Sequence, residues 1–312
     1  VWITGGRAVS TRSVGGLSFT PEGECFAVSP AALEGAIAVT AGDGTVLVVD
    51  RAGAVHRTDA AGRWWLVGAR VAGVSRATAL ADGRVMFVGR EAATVVHPDG
   101  GVTRAAPPLL RTSVSDALTL TDGRVWLSGR MRGDAAEVWD PARDAWRRTP
   151  RAGLGRIVRA TLLGDGRVLA VAGRSARVFD PETGGWTPGP DLPFAADDRS
   201  TLDLLPDGRV MLIAEGGVAW LGLDGQWTAG PEGYGRAGHR TAWLGERGLA
   251  VLGGLTGADA IGGFVWAGRD DALETAFAAQ RARAVRFAAA VGDAGEIVIV
   301  LSDGSIARVA PR

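Results

Sequence analysis

Arg76, Asp116, Arg159 and Arg240 are the side chains from which this chain could build a centre of recognition or proton transfer, with Ser115, Ser200 and His239 beside them. Three guanidinium groups offer rigid forks of donors that match a carboxylate, and flat faces that stack on aromatic surfaces. An acid such as Asp116 or Glu215 would add a proton carrier for a sugar or sugar acid. If the arginines instead pair with neighbouring acids and carbonyls, the same group is a structural clasp. Both readings start from one spacing: Arg76, Asp116, Arg159, Thr201 and Arg240 each stand nine residues ahead of Val85, Val125, Val168, Val210 and Leu249.

Other chemistries lack their residues. Three scattered histidines, His56, His97 and His239, and one cysteine, Cys25, supply no ligand pair for zinc or iron, so no metal is expected. His56 and His97 read as surface or packing residues. No Gly-x-Ser-x-Gly elbow occurs, and Ser302-Asp303-Gly304-Ser305 lacks the spacing and tryptophan of a sialidase turn. The adjacent acids Asp197-Asp198 and Asp270-Asp271 read as solvated loop charges. The 34 basic and 34 acidic residues balance, which removes the electrostatic ground for nucleic acid or a membrane surface as partner. Every basic residue is arginine, as codon bias in a high-GC genome would produce. No apolar run is long enough to span a bilayer, so no membrane insertion is expected.

The elements that position these residues follow from a repeat. Asp-Gly-Arg-Val recurs at 82–85, 122–125, 165–168 and 207–210, in steps of 40, 43 and 42. Weaker copies are Asp43-Gly44-Thr45-Val46, Glu246-Arg247-Gly248-Leu249 and Gly295-Glu296-Ile297. Asp-Gly between two apolar runs predicts a hairpin turn, with glycine taking the positive φ and the aspartate capping its own backbone. A second hairpin leads to a tryptophan in Val138-Trp139-Asp140-Pro141 with Trp146, and in Val178-Phe179-Asp180-Pro181 with Trp186. Each unit thus supplies four short strands. Such a unit cannot bury both faces alone, whereas sheets ringed about an axis can.

The expected fold is therefore all-β: one β-propeller domain over 1–312. Innermost strands are placed at about 35–41, 75–80, 115–120, 158–163, 200–205, 238–244 and 284–291, which makes seven four-stranded blades, with six or eight left open by degenerate terminal units. The opening Val1-Trp2-Ile3-Thr4-Gly5-Gly6 resembles the strand after an Asp-Gly-Arg turn, so closure by a blade shared between the termini is expected. The first residue, a valine, suggests a removed leader or a module of a longer chain; otherwise a monomer is expected.

The Asp207-Gly208-Arg209-Val210 turn, the strand ending at Gly253-Gly254, the Asp-Pro turns before tryptophans and Gly238-His239-Arg240-Thr241 together resemble bacterial kelch repeats, similar to the central propeller of galactose oxidase. Copper radical chemistry of that kind needs two tyrosines, and this chain has Tyr234 alone, so no cofactor is expected. The resemblance implies a binding face made of the inter-blade connections and middle hairpin loops, and favours an extracytoplasmic location. Phe194 and Tyr234 lie in Pro- and Gly-rich connections on that face, either plugging blade edges or presenting stacking surfaces. The expected function is non-enzymatic binding of a protein or glycan; the alternative is a carbohydrate-active enzyme acting at the channel mouth on a sugar or sugar acid.

Overall fold

The protein is seen in a computed structural model that describes residues 37–255, apart from 42–43, 51, 59–63, 130–132, 244–247 and a few strand side chains; beyond that span the strands and the Trp266 side chain are described. Gly5-Gly6, Asp43, Arg130, Glu246-Arg247, Asp270-Asp271, Gly295 and Ser302–Ser305 lie outside the described residues, as does the Cys25 side chain.

Five sheets consist of four consecutive antiparallel strands. Sheet A holds Ile37–Thr40, Val46–Val49, Ala54–Thr58 and Trp64–Arg70. Sheet B holds Val74–Ala79, Val85–Gly89, Ala93–Val96 and Val102–Ala105; sheet C, Val114–Thr119, Val125–Gly129, Ala136–Asp140 and Ala145–Arg148. Sheet D holds Arg159–Leu162, Val168–Ala172, Ser175–Phe179 and Trp186–Pro188; sheet E, Thr201–Leu204, Val210–Ala214, Gly217–Leu221 and Trp227–Ala229. Sheet F pairs Arg240–Trp243, Leu249–Leu252, Phe264–Trp266 and Leu273–Thr275, with the hairpin Leu255–Thr256/Asp259–Ala260 inserted after its second strand. Sheet G joins the two ends of the chain in the order Arg7–Val9, Trp2–Thr4, Ile306–Val309, Glu296–Leu301 and Val285–Val291, with Trp2 and Ile3 parallel to Arg308 and Val309.

The repeated tetrapeptide makes the first hairpin of each unit. In sheet B the Leu80 amide donates to the Arg84 carbonyl at 2.7 Å, the Gly83 amide to the Leu80 carbonyl at 3.1 Å, and Gly83 has φ 81°. Three residues therefore turn the chain, with glycine in the left-handed position that closes such a loop. Asp82 Oδ1 accepts the Arg84 amide at 3.1 Å and Oδ2 accepts Arg84 Nε at 2.7 Å. The same clip recurs at Asp122–Arg124, Asp165–Arg167 and Asp207–Arg209. Arginine thus has a local structural use in the repeat besides the genomic one, and the turn aspartates cap their own loops.

Packing explains why the second strands read as unbroken apolar runs. Val46–Val49, Val85–Gly89, Val125–Gly129 and Val210–Ala214 are buried throughout, because each sheet is covered on both faces. Alternate residues then serve different cores. In sheet E, Val210, Leu212 and Ala214 meet Leu169, Val171 and Val178 of sheet D, while Met211 and Ile213 meet Leu249, Val251 and Trp266 of sheet F. Each such leucine or isoleucine contributes roughly 2–3 kcal/mol by burial. Tryptophans bind one sheet to the connection before it: the Nε1 of Trp146, Trp186 and Trp227 donates to the carbonyls of Ala106, Pro150 and Pro190 at 2.7, 2.9 and 3.3 Å.

The first strands of A to F each touch the next in order, that of F touches Val285–Val291 of G, and that strand touches Ile37–Thr40 of A. Each runs away from the side where the connections between sheets and the second-to-third-strand hairpins lie. That side is called the connection face here, and the opposite one the turn face.

Phe194 shows how a glycine pair serves packing. Its ring covers Gly216-Gly217, where a Cβ on Gly217 (φ +151°) would lie 2.5 Å from the ring. Gly123 (φ +84°) has open space before it. Gly123→Ala should cost about 1 kcal/mol from the left-handed backbone alone. Gly217→Ala should cost about 2 kcal/mol or more because the ring must move. Urea denaturation of both variants checks this, and equal losses would count against Phe194 as the constraint.

Candidate functional site

Each first strand pairs on one side only, so half of its amides and carbonyls point toward the axis with no strand to meet them. In sheet D the Leu163 amide donates to the Arg167 carbonyl at 2.8 Å, and Arg159 faces Val171 in register. From Arg159 on, odd positions therefore belong to the ladder, which the Val158 amide also joins by donating to the Val171 carbonyl at 2.9 Å, and the Ala160 amide turns to the axis. It donates to Asp116 Oδ2 of sheet C at 2.8 Å.

The aligned position supplies the other partners. Arg159 donates from Nε to the Ser200 carbonyl at 2.7 Å, from Nη1 to the Val158 carbonyl at 2.8 Å and from Nη2 to the Asp198 carbonyl. Nη1 of Arg76 and of Arg240 likewise donates to the carbonyl just before it, Ser75 at 2.9 Å and His239 at 2.7 Å. Arg76 Nε stands 3.8 Å from Asp116 Oδ1. Thr201 Oγ1 and His239 Nε2 share a hydrogen bond of 2.8 Å, and Thr241 Oγ1 donates to Asp203 Oδ1 at 2.9 Å. Thr119 Oγ1 donates to the Ala79 carbonyl at 2.6 Å and lies 2.9 Å from Thr78 Oγ1. A belt of hydrogen bonds thus runs from sheet B to sheet F along the exposed edges of the first strands.

Burial and charge set the protonation of the belt. Burial pushes the Asp116 carboxyl up, against the pull of Arg159 and Arg76. Asp203 is pushed up to about 6 by burial, opposed by its bonds to Thr241 and Thr201 and by Arg159, and its Oδ2 has no hydrogen-bond partner among the described residues. His239 is fully buried and lowered to about 3 by burial and by Arg236, Arg240 and Arg159.

Of the residues expected at the mouth, Arg76, Asp116, Arg159, Arg240 and His239 come together in this belt. The Ser200 side chain turns to Asp197 Oδ1 at 3.0 Å, and Ser115 Oγ is buried without a hydrogen-bond partner among the described residues. Glu215 lies exposed in the hairpin of sheet E. Phe194 packs against the core between sheets D and E, and Tyr234 against that between E and F. Asp198 is an ion-pair partner of Arg156, and Asp197 caps the Arg199 amide at 2.8 Å. His56 is buried against Asp50 at 3.0 Å, and His97 meets Thr103 at 2.8 Å.

Two acids outside these expectations hold the connection face in shape. Glu137, fully buried, accepts the Leu109 amide at 3.0 Å and the Leu110 amide at 3.1 Å; burial pushes it up to about 7 against those bonds. Asp134 accepts the amides of Gly153 and Leu154. Glu137 carried a signal in Ala136-Glu137-Val138-Trp139, where one charge interrupts an apolar strand and must find a partner. Among the described residues no group of three or more His, Cys, Asp or Glu is placed to hold a metal ion.

Comparison with known proteins bears on the fold. No protein-family model matches the chain, and no curated protein matches it in sequence. Among solved structures, a catalytically inactive virginiamycin B lyase from Staphylococcus aureus with quinupristin is similar, with a TM-score of 0.65 and 12% identity over 94% of this chain and 95% of that one. A streptogramin B lyase gives 0.63 and 14% over 96% and 94%. A copper-containing fungal alcohol oxidase of the AA5 family gives 0.64 and 13% over 86% and 70%. The chain has a β-propeller fold.

The buried histidine makes stability depend on pH. Unfolded His239 would take a proton near pH 6.5, whereas the folded state holds it neutral down to about 3. Its contribution is therefore full above pH 6.5 and is lost as pH falls toward 3. Chemical denaturation of wild type and His239→Gln at pH 7.5, 6 and 4.5 should show the wild type losing stability faster on acidification; parallel curves would mean that the imidazole is protonated in the fold.

Proposed function

We propose that this chain is a non-enzymatic, kelch-type propeller that binds a protein or glycan partner through its connection face. The observation that carries this reading is the pinning of that face. Glu137 holds the connection between sheets B and C, and Asp134 the one between C and D. The Gly173–Ala196 bridge holds the connection after D, and the Arg236 amide bonded to the Ala214 carbonyl at 2.8 Å holds the one after E. Loops fixed before binding lose little entropy on association, which suits recognition. Two of the groups an enzyme could use for proton transfer are engaged in the belt, Asp116 with Ala160 and Arg76 and His239 with Thr201, and Glu215 lies away from it in the exposed hairpin of sheet E.

Seven blades, closed by the blade that both termini share, is the architecture this reading assumes. It is supported by the contact order of the first strands and by the pairing of Trp2–Thr4 with Ile306–Val309. Closure removes open strand edges that would otherwise recruit other chains.

Glycan and peptide arrays probed with the folded protein test the function, alongside turnover assays on sugar acids and uronides. Saturable binding to one class without turnover is the expected result. Turnover abolished by Asp116→Asn, in a variant that retains its melting temperature, would establish the enzymatic alternative instead.

A further inference from the structure

Arginines on the two faces differ in how they are neutralised. On the turn face Arg84, Arg124, Arg167 and Arg209 each pair with the aspartate of their own loop at 2.6 to 2.8 Å. On the connection face Arg151, Arg174 and Arg199 are exposed, and none forms an ion pair among the described residues. All three bracket sheet D. Arg151 lies in the connection before it, Arg174 in its second-to-third-strand hairpin and Arg199 in the connection after it.

Their backbones are fixed. The Arg174 carbonyl accepts the Leu192 amide at 2.8 Å, and the Arg199 carbonyl accepts the Gly238 amide at 2.8 Å. Arg151 is followed at once by the loop that Asp134 holds through Gly153 and Leu154. Nearby acids are mostly engaged: Asp134 in that loop, Asp197 with the Arg199 amide and the Ser200 hydroxyl, and Asp198 with Arg156. Asp191 is an exposed carboxylate of this sector outside those bonds, and Glu215 lies exposed in the neighbouring hairpin of sheet E, against three cations. A Cβ at Gly153, Gly155 or Gly173 would meet nothing within 4 Å, so another backbone can come close there.

We propose that Arg151, Arg174 and Arg199 form the docking surface for an extended acidic segment of a partner protein. This rests on the binding reading above and names its partner's chemistry. A polypeptide is favoured over an anionic glycan because a sugar site wants an exposed aromatic platform, and the two loop aromatics, Phe194 and Tyr234, are packed against the cores. Sheets packed face to face lie about 10 Å apart, and an extended chain rises about 3.3 Å per residue. Successive arginines are then met by carboxylates about three residues apart, each taken by a bidentate fork.

A fluorescent nine-residue peptide with glutamates at positions 2, 5 and 8 tests this by anisotropy, beside its glutamine counterpart and an oligogalacturonate. The wild type should bind the glutamate peptide at 50 mM salt, several-fold more weakly at 200 mM, and the glutamine peptide not measurably. The Arg151→Glu/Arg174→Glu/Arg199→Glu variant changes exposed side chains only; with its melting temperature retained, it should bind at least tenfold more weakly. No binding of the glutamate peptide, an unchanged affinity in the variant, or oligogalacturonate binding that is tighter and lost in the variant would overturn the proposal. Array ligands that still bind the variant normally would leave the binding function standing while removing this surface; turnover in place of binding would remove the function itself.

Discussion

The unpaired inner edge of each first strand is the constraint on which the rest of this structure depends. Sheets gathered around an axis present a row of amides and carbonyls with no neighbouring strand, and leaving such groups buried and unsatisfied costs on the order of 1–3 kcal/mol each. The belt meets that demand from the next sheet along. Asp116 of sheet C takes the Ala160 amide of D, Arg159 of D reaches the Ser200 carbonyl at the entry to E, and Thr119 of C reaches the Ala79 carbonyl of B. Satisfying the edge and joining the sheets are therefore one act.

That economy shapes what the axis can do. A guanidinium that donates to three carbonyls, as Arg159 does, is held by the wall before any ligand arrives. Arginine suits the task because its fork reaches several carbonyls at once, which a lysine ammonium does with less order. Recognition is then left to the connections, whose shape is set by buried acids rather than by regular structure. Glu137 and Asp134 convert long loops into fixed relief, and the exposed arginines about sheet D ride on it.

Local chemistry was legible in the residues and long-range chemistry was not. The turn at Asp82-Gly83 could be read because glycine φ and an aspartate cap are decided within a few residues. The first strands begin at Arg159, Thr201 and Arg240 close to where the repeat spacing put them. Their alignment also placed Arg76, Asp116, Arg159 and Arg240 on one ring. The carbonyls those arginines meet could not be read, because Ser200 and Asp198 belong to the connection that leads into the next sheet, 41 and 39 residues on. Phe194 looked like a loop aromatic, and only the approach of Gly216-Gly217 from a neighbouring hairpin shows what its ring covers.

The belt is tested most directly by hydrogen exchange at the Ala160 amide, the donor that meets Asp116 across the seam between sheets C and D. In Asp116→Ala that amide should exchange at least tenfold faster than in the wild type, while amides of the buried strand Val210–Ala214 keep their protection. Unchanged protection at Ala160 would contradict the account, because the inner edge would then be satisfied without the side chain held to join these sheets.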